Sequence, residues 1–312
     1  MDRHSGVGRA LAQITGSQIA VSTALSGGDV AASSRVTLDD GQTVFAKTHA
    51  SPPEHFFDTE ARGLEWLRAA DALPVPAVLG VSDNPPLLVL EWIDEARAKA
   101  RDDNAFGSGL ARLHSANAEC FGRPDARTTG SRGLPNAPCD RWPEFYATQR
   151  LLPLVRLASA SGIYDDRQLL VFESVAARLE IVGGQAEPVA RLHGDLWAGN
   201  RIVDHTGTSW LIDPACHGGH REFDLAMMRL FGGFDEGVFH AYNDANPLAD
   251  GWADRVALHQ LAPLLVHAIK FGGGYVEAAM TAAQKYELAA TVKYCRLPQP
   301  AMSISGEGAS PG

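Results

Sequence analysis

One stretch constrains this chain more than any other, Arg191–Pro214, with the sequence RLHGDLWAGNRIVDHTGTSWLIDP. It holds His193-Gly194-Asp195, then four residues, then Asn200, and a second acid, Asp213, after a short apolar run. Transfer of a phosphoryl group from a nucleotide needs a carboxylate to take the proton of the acceptor hydroxyl. It also needs an amide oxygen and a second carboxylate to hold magnesium against the phosphates. An Asp-x4-Asn loop with an acid after the next hairpin supplies all three oxygen sources on one segment. The pattern predicts a loop ending at Asn200, a strand at 201–203, a turn at 204–207 and a strand at 210–212. Such a hairpin returns Asp213 to the neighbourhood of Asp195 and Asn200. This spacing points to a kinase catalytic core, with Asp195 as the base and Asn200 and Asp213 as the Mg²⁺ ligands.

The chain before this stretch has the order that a nucleotide-binding lobe requires. A short helix over 3–15 precedes a strand over 18–25. Ser26-Gly27-Gly28-Asp29 breaks that strand, and a second follows over 30–38. Asp40-Gly41 is a hairpin signal, and the third strand, 43–48, carries Lys47. Gly27 and Gly28 would lie over the phosphates, where missing side chains let backbone amides approach. Lys47 needs a carboxylate to fix its pose on the α- and β-phosphates. The helix predicted over 54–69 offers Glu60, with Glu54, Asp58 and Glu65 as competitors. Strands at 77–81 and 87–92 follow, and Leu87-Leu88-Val89-Leu90 is apolar throughout, as in a strand buried on both faces. The backbone groups of Glu91 and Ile93 then stand where a hinge would meet the adenine edge.

From there the pattern turns helical. A helix over 102–116 contains His114, read as a buried or capping histidine. Residues 117–140 lack a period and read as a long surface loop able to reach over the acceptor side of the cleft. Helices follow over 141–160 and 165–182, with Gly183-Gly184 as the stop. After a glycine-containing loop at 217–220, a helix over 222–231 carries Asp224. That acid has two readings: support of the catalytic loop, or plain N-terminal helix charge. Helices over 252–270 and 274–292 close the chain. The Pro-, Gly- and Ser-rich end from residue 298 is expected to be disordered. The predicted fold is therefore α+β and two-lobed, protein-kinase-like. A small antiparallel sheet lobe spans 1–93 with the hinge at its end, and a mostly helical lobe with the catalytic loop and acceptor site spans 94–297.

Charge and cysteine usage narrow the alternatives. A net charge of −10 with no basic stripe argues against nucleic-acid binding. The four cysteines share no paired-ligand spacing and fit a reducing compartment, so a cytoplasmic protein is expected. No apolar run approaches a membrane span. A monomer is the expected state.

HGDLWAGN, followed by LIDPACHGGHREFDLAMMRLFGGF, resembles the fructosamine kinase (ketosamine-3-kinase) family within the aminoglycoside-phosphotransferase-like kinases. HGDL-x3-N is shared across the small-molecule kinases. Trp197 and the run Gly219-His220-Arg221-Glu222 point to the narrower family. The likeness extends, more weakly, over nearly the whole chain. It implies ATP and Mg²⁺ as cofactors and a ketoamine, small or protein-bound, as acceptor, phosphorylated on its sugar 3-hydroxyl in a deglycation repair. It also implies that Trp197 and His220 lie on the substrate side. Two other readings stand beside it: a kinase of another small hydroxyl compound such as an aminoglycoside, and a nucleotide-binding pseudokinase. An indole at 197 can lie on an acceptor sugar or can simply pack the loop.

Overall fold

The structure is a computed structural model that describes residues 2, 5–26, 31–96, 102–128 and 133–296, with side chains to residue 287. Gly27 and Gly28 lie outside the described residues, as do Asp29, Val30 and the end of the chain from residue 297.

Helix α1 (Gly6–Thr15) starts at Ser5, whose side chain accepts from the Gly8 amide, and stops at Gly16 in the left-handed conformation. Strands β1 (Ile19–Ala24), β2 (Ala32–Leu38) and β3 (Thr43–Thr48) form a meander. Helix α2 (Phe56–Arg68), β4 (Val78–Asp83) and β5 (Pro86–Glu91) complete this part. The five strands form one sheet in the order β1-β2-β3-β5-β4, every pair antiparallel. Because side chains alternate across a strand, the sheet has two distinct faces. Val44, Ala46, Leu87 and Val89 turn to one face and pack with Leu11 of α1. Leu88 and Leu90 turn to the other, against Phe57, Leu64 and Leu67 of α2. Leu87, Leu88 and Val89 are fully buried, as a strand covered on both sides must be.

The α2 core does not stop at the sheet. It continues through Phe106 and Leu110 of α3 (Asp103–Ser115) to Leu196, Leu211 and Leu225, so α2 bridges the sheet and the catalytic segment. The helical part comprises α4 (Trp142–Phe145), a π-helical turn (Tyr146–Leu151), α5 (Leu152–Ser161), α6 (Asp166–Ala177) and α7 (Leu179–Val182). After the catalytic segment come α8 (Glu222–Phe231), α9 (Glu236–Ala245), α10 (Trp252–His259), α11 (Leu261–Phe271) and α12 (Gly274–Arg296). Residues 190–219 form two short ribbons. One pairs β6 (Ala190–Leu192) with β9 (His217–Gly219), and the other pairs β7 (Arg201–Val203) with β8 (Ser209–Leu211).

Several elements differ from the sequence expectation: strand β6 was not foreseen, and the helix expected over 252–270 is two, α10 and α11. Helix α9, which packs on α3, has no counterpart in that reading. Residues 217–219, expected as loop, form β9, because their partner β6 lies 27 residues earlier and pairs through Ala190↔Gly219. The segment after α3 is not a free surface loop. Phe121 and Cys139 bridge, Gly122 pairs with Gly218, and Asn136 is fully buried.

Candidate active site

The short β7–β8 hairpin does what the spacing requires. Register Arg201↔Leu211 and Val203↔Ser209 turns the chain back. Asn200 then meets both acids: its Nδ2 donates to the Asp195 carbonyl at 2.8 Å, to Asp195 Oδ2 at 3.2 Å and to the Asp213 carbonyl at 3.4 Å. All three partners are acceptors, which fixes the amide's orientation and leaves Oδ1 for another task. Asp213 adopts φ 55°, a left-handed conformation that Asp tolerates better than most residues. Gly194 has φ 81°, and a Cβ there would overlap the Ala215 carbonyl, so the HGD loop needs glycine on two counts.

A buried layer underneath holds this loop. Asp224 Oδ2 accepts from the His193 amide at 2.8 Å and Oδ1 from the Gly194 amide at 2.9 Å. His114 reaches the same carboxylate at 3.3 Å, while its other ring nitrogen meets the Tyr242 hydroxyl at 2.8 Å. Burial alone would push Asp224 up, but His114, His193 and the amides outweigh it and hold the carboxyl below its usual value. Of its two readings, support of the catalytic loop is the one the structure shows. His193 is itself fully buried and, through burial, less basic than usual. Its Nε2 donates to the Ile212 carbonyl at 2.9 Å and its Nδ1 accepts from the Asp195 amide at 3.2 Å, the pattern of a neutral ring.

Lys47 sits on the α2-facing side of the sheet, opposite Leu88 in register. Its Nζ lies 3.0 Å from each Glu60 oxygen and 2.5 Å from Asp213 Oδ1. Glu60 is selected because it flanks the buried stripe of α2 formed by Phe57, Ala61 and Leu64. Asp58, a competitor, faces out and pairs with Arg62 and Arg127. Burial depresses Lys47, yet Glu60 and Asp213 more than restore it, so the amine stays charged. Glu60 is pushed up to about 7 by burial, against the pull of Lys47.

At the end of β5, the Glu91 amide donates to the Ala77 carbonyl at 2.9 Å and its carboxylate accepts from the Ala77 amide at 3.0 Å. The Glu91 amide is therefore already engaged within the sheet. Ile93 follows in irregular chain, half-buried.

A cavity of about 380 Å³ opens beside Asp195. Burial first, then the nearby Asp213 charge, raises the Asp195 carboxyl to about 7, the range in which a general base works best at neutral pH. Trp197 is 42% exposed, meets Phe231 edge-on at 6.4 Å, and covers Gly199, where a Cβ would strike the indole. His217, His267, Lys270 and Arg150 also line the cavity. None was marked by the sequence, because they come from β9, α11 and the π-turn and converge only in three dimensions.

His220 does not line this cavity, contrary to expectation. It is 3% exposed, its ring 5.3 Å from that of Trp142 and 4.9 Å from that of His259, and burial pushes its pKa down to about 3. His217 reaches the cavity instead. The two lie an odd number of positions apart in extended chain, and alternation turns them to opposite sides. His220, Glu222 and His259 offer donor atoms within 4.8 Å of one another, the spacing a cation site requires. The Glu222 oxygens, however, are both taken by Arg255, at 2.9 and 2.5 Å. Burial works against that carboxylate, but contacts with His259 and Arg255 bring it to about 2, so the group is a buried ion pair that ties α8 to α10.

Known proteins are similar to this chain over most of its length. The family model described as fructosamine kinase matches residues 5–289. A Synechocystis protein named a probable ketoamine kinase is 34% identical over 246 residues, 78% of this chain and 82% of its own. The Arabidopsis thaliana chloroplastic protein-ribulosamine 3-kinase is 32% identical, covering 86% of this chain and 83% of its own. A Thermobifida fusca crystal structure assigned as a fructosamine-3-kinase superposes with a TM-score of 0.82 at 39% identity, over 90% of this chain and 98% of that one. The gentamicin complex of the phosphotransferase APH(2")-IIa gives a TM-score of 0.62 at 16% identity over 92% of this chain and 96% of that one, a likeness of fold. With a family model spanning nearly its whole length and a kinase-like α+β fold that assembles Lys47, Glu60, Asp195, Asn200 and Asp213 at one cleft, this chain belongs to the fructosamine kinase family.

Proposed function

We propose that this protein transfers the γ-phosphoryl group of ATP to the 3-hydroxyl of a ketoamine such as a ribulosamine or fructosamine, a deglycating reaction. One observation carries the choice of acceptor. Among the described residues lining the cavity, Asp195 is the only acid, and it stands against Lys270 and Arg150. A polycationic aminoglycoside needs several carboxylates to replace its water, and this wall has none beyond the base. A ketoamine, with a hydroxylated chain and a single amine, suits a cavity of Trp197, Phe231 and Phe271 with one carboxylate.

The donor set fits ATP with Mg²⁺. Asn200 Oδ1 and the half-exposed Asp213 carboxylate are hard oxygen donors side by side, suited to a small divalent cation. Bound there, Mg²⁺ would neutralise charge on the phosphates. Lys47, fixed by Glu60, would hold the α- and β-phosphates, and the Glu91 carbonyl with the Ile93 backbone would meet the adenine. Gly27 and Gly28 keep their proposed place over the phosphates. Asp195 orients the acceptor hydroxyl and takes its proton, and its Oδ2 is steadied by Asn200. Positioning and charge neutralisation supply most of the acceleration of so dissociative a transfer. A division into lobes near residue 93, a monomer and a cytoplasmic location belong to the same reading. Among the described residues no helix is long and apolar enough to cross a membrane. An ATP-consumption screen across ribulosamines, fructosamines and aminoglycosides tests the proposal. Turnover confined to aminoglycosides, or none with any acceptor, would defeat it.

Trp197 separates acceptor contact from mere packing. Its 42% exposure leaves little core burial to lose. Trp197→Ala is expected to lower kcat/KM for the ketoamine by about 1–3 kcal/mol of transition-state binding. Slow ATP hydrolysis without acceptor and the melting temperature should hardly move. A parallel fall of all three, measured on one preparation, would mean that the indole only supports the loop.

A further inference from the structure

Arg150 is out of place as a structural residue. It is 3% exposed, yet no carboxylate is among its hydrogen-bond partners. Nη1 donates to the carbonyls of Pro135 and Gln149 at 2.6 and 2.8 Å, and Nη2 to Asn136 Oδ1 at 2.6 Å. These neutral oxygens use three of the five N–H donors and leave Nε–H and one Nη2–H without a partner among the described residues. The guanidinium also lies over the Phe145 ring at 4.6 Å, which holds its plane in place. Burial pulls its pKa down to about 9, as it must where no anion compensates the charge.

Two further observations tie Arg150 to the acceptor. Its backbone belongs to the π-helical turn Tyr146–Leu151, a costly local geometry often kept where it aims a side chain at a site. Its side chain lines the same cavity as Asp195, and Lys270 lines it too. A buried, rigid guanidinium without a counter-ion is a ready receptor for a planar or tetrahedral oxyanion. A cavity carrying two cations and one acid admits the single amine of a ketoamine beside Asp195 but gains nothing further from an acceptor whose only charge is that amine. It would welcome one that also carries a negative group.

We propose that Arg150 is a specificity-determining residue that binds an anionic oxygen group of the acceptor, with Lys270 adding to the positive field. This rests on the ketoamine kinase reading above and narrows it to adducts that bear an anion. That anion can come from two places, the free carboxylate of a glycated amino acid or a phosphate ester at the far end of the sugar. Either satisfies the same two N–H donors.

The test compares four acceptors at fixed ionic strength: a ribulosamine of a free amino acid, its carboxamide, a ribulosamine of a simple neutral alkylamine, and that alkylamine adduct carrying a 5-phosphate. The wild-type protein should favour an anionic member over its neutral counterpart by roughly 10- to 100-fold in kcat/KM, the scale of a hydrogen-bonded charge. Preference for the carboxylate over the carboxamide assigns the amino-acid source; preference for the phosphate ester assigns the sugar source. Arg150→Met should erase that preference by lowering the anionic substrate while sparing the neutral one and the KM for ATP, and Arg150→Lys should restore part of it. Equal turnover of charged and neutral acceptors by the wild type overturns the anion site and leaves the ketoamine reading standing. So does an equal loss on both in Arg150→Met with Arg150→Lys no better. Absence of turnover with all four overturns both together. The wild-type comparison needs no variant to fold.

Discussion

Asp195→Asn should bind ATP as the wild type does and turn over roughly 10²–10⁴-fold more slowly, because an amide keeps the shape but cannot accept the hydroxyl proton. The variant also separates chemistry from folding. The Asp195 carboxyl sits at about 7 in the folded protein, above the ordinary value near 4 expected of the unfolded chain. A carboxyl raised by folding withdraws stability once it must ionise, so its cost is absent below the unfolded value and complete above the folded one. Asparagine removes that cost. The variant should therefore melt at or above the wild type at pH 8, and the difference should shrink towards pH 4. In the wild type, kcat/KM should rise with pH through about 7 and then level off. Glu60 is also raised to about 7, and any acid limb remaining in the variant's residual rate belongs to it. Near wild-type kcat in Asp195→Asn would remove this residue from the role of base.

Loss of the second acid should be as damaging through a different route. Asp213→Ala deletes a principal oxygen donor beside Asn200, and turnover should fall by roughly 10³-fold or more, on the scale of the several kcal/mol that a metal contributes to charge stabilisation. Its signature is the Mg²⁺ titration: nucleotide affinity should rise with Mg²⁺ in the wild type and become nearly independent of it in the variant. The substitution also costs about 1 kcal/mol of stability, since alanine at φ 55° is strained where aspartate is better tolerated. Asp213→Asn keeps the tolerated backbone and one neutral oxygen, so it should fold normally and fall between the two. Lys47 retains Glu60 in both variants, so the sheet and α2 should hold together. An unchanged Mg²⁺ dependence in Asp213→Ala would mean that this acid is not the ligand.

Residues 191–214 are organised at short range, and there the sequence sufficed. Asp195, Asn200 and Asp213 are joined by one loop and one hairpin, so their spacing alone brings them together. Lys47 and Glu60 are also local, since strand alternation and the stripe of α2 fix which side each faces. Strands β1 to β5 and most helices were likewise written in period and turn residues. What the sequence could not fix was the partner of any side chain that looks outward from its own element. Strand β9 exists only because β6 is there to pair with it, and that pairing decides that His217 meets the acceptor cavity while His220 is sealed against Trp142 and His259. Arg150, His267 and Lys270 stand on helices packed around Asp195, and nothing in their own spacing separates a cavity wall from a surface. The charge of the cavity beside Asp195 was decided by tertiary packing. Local geometry follows from neighbouring residues, whereas a cavity is the space left between elements that only the whole fold brings together.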